Sequence, residues 1–254
     1  MNVFITGASS GIGEALAREF ASRYPGSRIG LLARRESRLA ELARSLPRVQ
    51  CLQYPVDLTD SRALHQAAKH YLSEAGCPDI VIANAGISAG TQTENPEHAT
   101  VFHHIQQINV NALHDTCAAF LPAMKAQGNG ILVGIGSVAG VRGMPGSAAY
   151  CASKAAANTY LESLRVELHH SPISVVTIAP GFIKTPMTDR NEYSMPFLMP
   201  VDAFAKKAVS AIVARRSFLV IPWQMAWVAR VMRLLPNAIY DKVMSRSPRK
   251  TLGL

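Results

Sequence analysis

The chain has 254 residues, 48% of them hydrophobic and 17% charged, which suits one large domain with a sizeable core and excludes a disordered chain. A formal net charge of +9 favours anionic partners: a phosphorylated cofactor, an acidic substrate, a nucleic acid or an anionic membrane surface. Four scattered cysteines (Cys51, Cys77, Cys117 and Cys151), with no CxxC and no histidines at zinc spacing, point to reduced thiols in a cytoplasmic protein.

In chain order, residues 3–5 read as a short apolar strand, so no signal peptide is expected before it. Residues 12–23 follow with helical spacing at Ile12, Ala15, Leu16 and Phe20. Strands are expected at 28–32, 49–55, 79–83, 130–135, 173–178 and 218–221. Between them helices are expected at 36–46, 61–75, 97–127, 150–170 and 201–215. Short apolar strands alternating with helices indicate a single doubly wound, Rossmann-like parallel sheet of about seven strands, with helices on both faces. No apolar run of about 18 uncharged residues offers a membrane span.

Gly7, Gly11 and Gly13 open the first helix directly after the first strand, in the run Thr6-Gly7-Ala8-Ser9-Ser10-Gly11-Ile12-Gly13. Glycine permits the backbone to approach a pyrophosphate, which would then rest on the helix N-terminus; the plainer reading is a tight strand–helix turn. At the end of the second strand, Ala33 stands where an NAD site places an acidic residue. Arg34, with Arg35 and Ser9, offers a fork for a 2′-phosphate, so NADP(H) is expected before NAD(H). The competing reading of Arg34 is a solvated helix start. Tyr150 and Lys154, four apart on one helix face, place an ammonium beside a phenol whose ordinary pKa is about 10. The ammonium would favour the phenolate and bring the pair into range for general acid–base work.

Taken together with Asp57, Asn84-Ala85-Gly86, Asn109, Ser137 and the run Pro180-Gly181-Phe182-Ile183-Lys184-Thr185, these motifs make the chain resemble the short-chain dehydrogenase/reductase family over residues 2–222. The resemblance implies that Tyr150 protonates a forming alkoxide and that Ser137 hydrogen-bonds the substrate carbonyl. Lys154 would hold the nicotinamide ribose and depress the Tyr150 pKa, and Asn109 would distort the long helix and hold a water in a proton relay. Asp57 would lie near adenine, Asn84, Ala85 and Gly86 would shape the cofactor cleft, and Ile183 and Thr185 would orient the carboxamide. Plainer readings stand beside these: Asp57 as cap of the helix near Ser61, Ser137 as a loop hydroxyl, Asn84 as a strand-end turn. The resemblance also implies a homodimer or homotetramer, paired through the 97–127 and 150–170 helices.

Two departures from the family pattern stand out. Many NADP-dependent relatives carry Lys or Arg where this chain has Ser10, and ketoacyl-carrier-protein reductases end soon after the last strand, whereas 32 residues follow Pro222 here. The expected activity is NADP(H)-dependent reduction of a lipophilic carbonyl, or oxidation of the alcohol. Met187, Tyr193, Met195, Phe197, Leu198 and Met199, facing Met144, would wall the substrate or else pack on the protein. A 3-oxoacyl thioester reductase and a non-catalytic NADP(H) sensor are the alternatives. A nucleic-acid binder is the weakest reading, because the basic residues are dispersed.

The chain is expected to divide into a catalytic domain, 1–222, and an amphipathic helical extension, 223–254. Trp223, Trp227, Val231, Leu234 and Leu235 share one face of a first helix, with Arg230 and Arg233 in a sector beside Ala226 and Ala229. Pro236 restarts the chain into a second helix ending in Arg246, Arg249 and Lys250. Such a tail fits a peripheral membrane contact through 223–250, a lid over the cleft, or a subunit contact.

Overall fold

The computed structural model describes residues 1–247 and Lys250. Strand β1 (Asn2–Thr6) leads into helix α1 (Gly11–Arg23), then β2 (Arg28–Ala33), α2 (Glu36–Arg44), β3 (Gln50–Pro55), α3 (Ser61–Ala75) and β4 (Ile80–Ala83). Next come α4 (His98–Gln106), a π-helical turn (Gln107–Asn111), α5 (Ala112–Gln127), β5 (Gly130–Ile135) and a 3-10 turn (Val138–Gly140). Helix α6 (Ala148–Glu167) is followed by β6 (Ile173–Pro180) and by the short strands β7 (Ile183–Lys184) and β8 (Met199–Pro200). Helix α7 (Val201–Val213), β9 (Phe218–Ile221), α8 (Gln224–Leu234) and α9 (Asn237–Met244) complete the order.

Seven strands form one parallel sheet in the order β3-β2-β1-β4-β5-β6-β9. β1, β4 and β5 are apolar because helices cover both their faces. Leu16, Phe20, Leu39, Phe204 and Ile212 fill one face beneath α1, α2 and α7. Leu64, Tyr71, Phe120 and Leu161 fill the other beneath α3, α5 and α6. Phe4 anchors that second layer, with its ring centroid 4.6 Å from Phe120 and 5.2 Å from Tyr71. The strand order reverses between β1 and β4, and the crevice beyond their carboxyl ends is where such sheets bind ligands.

The expected 97–127 helix is three segments, with five residues of π-helix between α4 and α5. The expected sixth strand runs two residues further, to Pro180, because it pairs with β9 up to Ile221.

Candidate active site

The glycine turn is held in a left-handed conformation, with φ of +69° at Gly7 and +57° at Gly11. A Cβ on Gly13 would stand 2.3 Å from Gly7 O, so only glycine lets the first turn of α1 lie against the loop. Asn84 clamps this loop from β4: Nδ2 donates to Thr6 O at 2.9 Å and Gly7 O at 3.3 Å. The Asn84 and Ala85 amides donate to Thr6 Oγ1. Asn84 is thus a tie across the switch point as well as a strand-end turn. No side chain caps the N-terminus of α1 at Ser10. Its first amides are left for an anion, and the turn fits a dinucleotide pyrophosphate.

Beside that turn sit two guanidinium groups. Arg35 reaches back over the loop, donating to Ser10 Oγ at 2.8 Å, Ser9 Oγ at 3.0 Å and Ser9 O at 3.3 Å. Arg34 extends outward and meets Asp57 Oδ2 at 3.8 Å. Asp57 does not cap α3; Asp60 does, accepting from Ala63 N. Asp57 instead accepts from Thr59 N and Thr59 Oγ1. Partial burial pushes its carboxyl up, but the Thr59 hydrogen bonds and the nearby Arg34 hold it below the usual aspartate value.

At the other end, Ser137 follows β5 and is buried. Its hydroxyl accepts from Ala139 N at 3.0 Å, starting the 3-10 turn. Tyr150 and Lys154 share one face of α6. The Lys154 ammonium is buried and donates to Ile135 O at 2.8 Å.

The expected depression of the Tyr150 pKa is not found. Burial pushes the phenol up to about 12, with the nearby Ser137 hydroxyl opposing, and burial pulls Lys154 down to about 8. The ammonium lies 6.0 Å from the Tyr150 ring centroid and is directed to the β5 carbonyl, so desolvation outweighs its attraction for a phenolate.

Asn109 lies behind the cleft rather than on its wall. The π-helical turn rotates it towards the β4 loop, where Oδ1 accepts from Ile87 N at 2.8 Å. Its Nδ2 donates to Ile87 O and to Ser153 Oγ. Asn111, by contrast, only bonds Gln107 on the exposed side.

One cavity of about 340 Å³ joins the two ends. Gly7, Ser9, Ser10, Gly11, Ile12, Arg34, Arg35 and Asp57 line it on one side. Asn84, Ala85, Gly86, Ser137, Tyr150, Lys154, Pro180, Gly181, Ile183 and Thr185 line the remainder. Of the catalytic and cofactor-binding residues expected from the sequence, only Gly13 and Asn109 stand behind this surface. Of the expected methionine wall, Met187 lines the cleft and Tyr193 packs on Phe182 near it. Met199 instead packs against the core, and Phe197 and Leu198 are exposed.

Two contributors had no reading in the sequence, and a third was read differently. Asn158, one turn beyond Lys154, donates to Ser137 O at 3.1 Å. Gly136 and Gly140 make room for it: a Cβ on either would meet the Asn158 amide at 2.1 or 2.6 Å. Its signal was a polar residue that continues the Tyr150–Lys154 spacing by one more turn of the helix. Arg142 donates to Met232 O and Leu235 O, both at 2.6 Å, and to Asn237 Oδ1 at 2.8 Å. Its guanidinium stacks on Tyr240, and the Tyr240 hydroxyl donates to Gly143 O. Lys250, grouped in the sequence with outward cations, turns inward instead. It donates to Ser88 Oγ at 2.5 Å and lies 5.5 Å from the Tyr150 ring centroid. Arg249 and residues 251–254 of the expected extension lie outside the described residues.

A family model described as short chain dehydrogenase matches residues 1–195. The chain belongs to the short-chain dehydrogenase/reductase family. An uncharacterized oxidoreductase of Myxococcus xanthus is 37% identical over 244 residues, covering 95% of both chains. A short-chain dehydrogenase of Sphingobium yanoikuyae solved with NADPH is 31% identical, with a TM-score of 0.77 over 99% of this chain and 98% of its own. A Burkholderia phymatum short-chain dehydrogenase/reductase solved with NAD reaches a TM-score of 0.80 at 23% identity, over 100% of this chain and 98% of its own, a likeness of fold alone. The protein is therefore an enzyme, an oxidoreductase of this family acting on CH–OH groups with a nicotinamide cofactor.

Proposed function

We propose that the enzyme reduces the carbonyl of a lipophilic substrate with NADPH, and runs the reverse oxidation with NADP⁺. The observation that carries this reading is the single cleft with a guanidinium pair at one end and Ser137, Tyr150 and Lys154 at the other. Ala33 brings no carboxylate against a 2′-phosphate, and Arg34 and Arg35 present planar donors to one. Arg35 takes the part that a basic residue at position 10 would otherwise play, since its guanidinium already rests on Ser9 and Ser10.

When bound, the dinucleotide supplies the hydride. The chain's own residues handle the oxygen. Ser137 accepts its backbone bond through a lone pair, so its hydroxyl proton remains to be donated to a substrate carbonyl oxygen. Tyr150 transfers its phenolic proton to the same oxygen as negative charge develops there. A phenol pushed up to about 12 stays protonated at neutral pH, the form that reduction needs. Lys154, fixed to Ile135 O, places a cation beside the phenolate left behind. Asn109 holds the Ile87 backbone and Ser153, keeping the cleft floor in register with α6.

A non-catalytic sensor would not require this proton-handling set behind a nucleotide site. Residues 1–222 form the catalytic domain in this reading, and residues 223–254 an extension whose described helices pack beside Gly143 and Gly181. A homodimer paired through α5 and α6 goes with it, supported by the exposed small residues Ala152, Ala156 and Thr159 on the outer side of α6. The four free cysteines fit a reducing, cytoplasmic compartment.

The direct test is NADPH and NADH consumption with a panel of carbonyl compounds graded from sugars to long-chain and cyclic ketones. Turnover rising with substrate apolarity, and faster with NADPH, is expected. Preference for polar sugars or for NADH overturns the reading.

A further inference from the structure

The extension turns its most apolar side away from the protein. In α8 the buried face is made by Met225 and Ala229. Met225 packs on Gly181, where a Cβ would come within 2.6 Å of it. The opposite face carries Trp223, Trp227, Val231 and Leu234, each between 56% and 82% exposed. Separations of four, four and three residues set them in one continuous stripe. α9 repeats the arrangement: Tyr240 is buried while Ile239 and Val243 are more than half exposed. A helix packed only on its own protein turns its larger apolar side chains inward. Here alanine goes in and two tryptophans go out.

The charges around the stripe select its partner. Residues 223–247 hold Arg230, Arg233, Lys242 and Arg246 against one acid, Asp241. Arg230 sits at the border of the stripe, its guanidinium 5.4 Å from the Trp227 ring centroid. Lys242 and Arg246 are exposed beyond it. A second copy docked stripe to stripe would oppose like charges, whereas an anionic surface matches them. An 11-residue helix is about 16 Å long and cannot cross a hydrocarbon core of about 30 Å. Among the described residues no helix is long and apolar enough to do so.

We propose that α8 and α9 dock the enzyme on an anionic lipid surface. Trp223, Trp227, Val231 and Leu234 lie in the boundary between headgroups and acyl chains, and Arg230, Lys242 and Arg246 lie among the phosphates. The buried face holds this platform to the catalytic end, through Arg142 on Met232 and Leu235 and through Met225 on Gly181. The cleft therefore opens close to the lipid from which a lipophilic carbonyl would partition. That last consequence rests on the proposed reductase activity; the docking itself does not.

The chain's only two tryptophans are both in the stripe, so intrinsic tryptophan fluorescence reads this surface alone. Full-length protein is mixed with vesicles of equal phosphatidylcholine and phosphatidylserine, or of phosphatidylcholine only, at salt of about 0.05 M and about 0.5 M. Expected at low salt are a blue shift and co-sedimentation with the anionic vesicles, and weaker binding with high salt or neutral lipid. A Val231→Ser/Leu234→Ser variant, altered only at exposed positions, should lose at least about ten-fold in partitioning. It should keep its melting temperature and its turnover of a water-soluble carbonyl compound. No blue shift and no co-sedimentation of the parent at low salt overturns the proposal, as does unchanged partitioning of the variant. A parent that ignores vesicles but loses oligomer mass on the double substitution has a subunit contact here instead. Loss of vesicle binding with turnover intact, or the reverse, separates this proposal from the reductase reading.

Discussion

Lys154 Nζ is anchored to Ile135 O at 2.8 Å while standing 6.0 Å from the centre of the Tyr150 ring. The proposed catalytic pair is thus a half-buried phenol beside a buried ammonium, each shifted towards its neutral form: Tyr150 up to about 12 and Lys154 down to about 8. A bound ribose would supply hydrogen-bond acceptors for the ammonium, and a developing alkoxide the negative charge that burial withholds.

For the cofactor-free protein this predicts a stability cost at Lys154. The folded pKa lies below the unfolded value of 10.5, so the cost is fully present below pH 8. Between about pH 8 and 10.5 the unfolded chain holds a proton that the folded one has lost, and stability rises with pH. Lys154→Met should raise the melting temperature at pH 7 by several degrees, flatten the rise between pH 8 and 10, and abolish turnover. A lower melting temperature in the variant would show that the ammonium is stabilising as it stands.

Cofactor choice should divide between the two guanidinium groups. A charge-assisted hydrogen bond contributes about 1.5–3 kcal/mol. Arg34→Ala should therefore lower kcat/KM for NADPH by about ten- to a hundred-fold, at about 1.4 kcal/mol per decade, and leave NADH nearly unchanged. Arg35→Ala also releases Ser9 and Ser10 and should harm both cofactors. Ala33→Asp with Arg34→Ile should reverse the preference. Equal losses for NADPH and NADH in Arg34→Ala would make Arg34 a solvated surface residue.

Asn158 is predicted to position Ser137. Asn158→Ala removes the bond to Ser137 O and leaves a gap beside Gly136 and Gly140. The kcat should fall about ten-fold or more, as for a displaced catalytic group, with NADPH affinity kept. Asn158→Gln, too long for the space above Gly136, should not rescue it. A change in stability with kcat intact would assign Asn158 a packing role only.

Arg142 ties the α8–α9 junction to the loop that follows the 3-10 turn. Arg142→Ala should expose the α8–α9 junction to trypsin and raise KM more than it lowers kcat. Unchanged proteolysis would mean that Met225 and Tyr240 hold the tail without it.

Much of this was legible in the sequence because strand runs, glycine turns and the Tyr150/Lys154 spacing are local patterns. All seven sheet strands fall where the apolar runs put them, with ends shifted by up to two residues. The π-helical turn at Asn109 was less legible. Its bond to Ile87 is made across the switch point, and periodicity alone describes a continuous helix. The direction of the Tyr150 shift was missed because spacing reports adjacency, whereas the pKa follows burial and the carbonyl that captures the ammonium. Asn158 and Lys250 were missed because their partners, Ser137 and Ser88, are 21 and 162 residues away in the chain.

The most direct measurement is single-turnover reduction of a lipophilic ketone by NADPH with the parent enzyme and Tyr150→Phe, alongside NADPH binding to both. A positioned general acid contributes about 10²–10⁴-fold, so the variant should lose at least a hundred-fold in rate. NADPH affinity should stay within about two-fold, because only the phenol proton is removed. A Tyr150→Phe enzyme that reduces the ketone at near-normal rate contradicts the account.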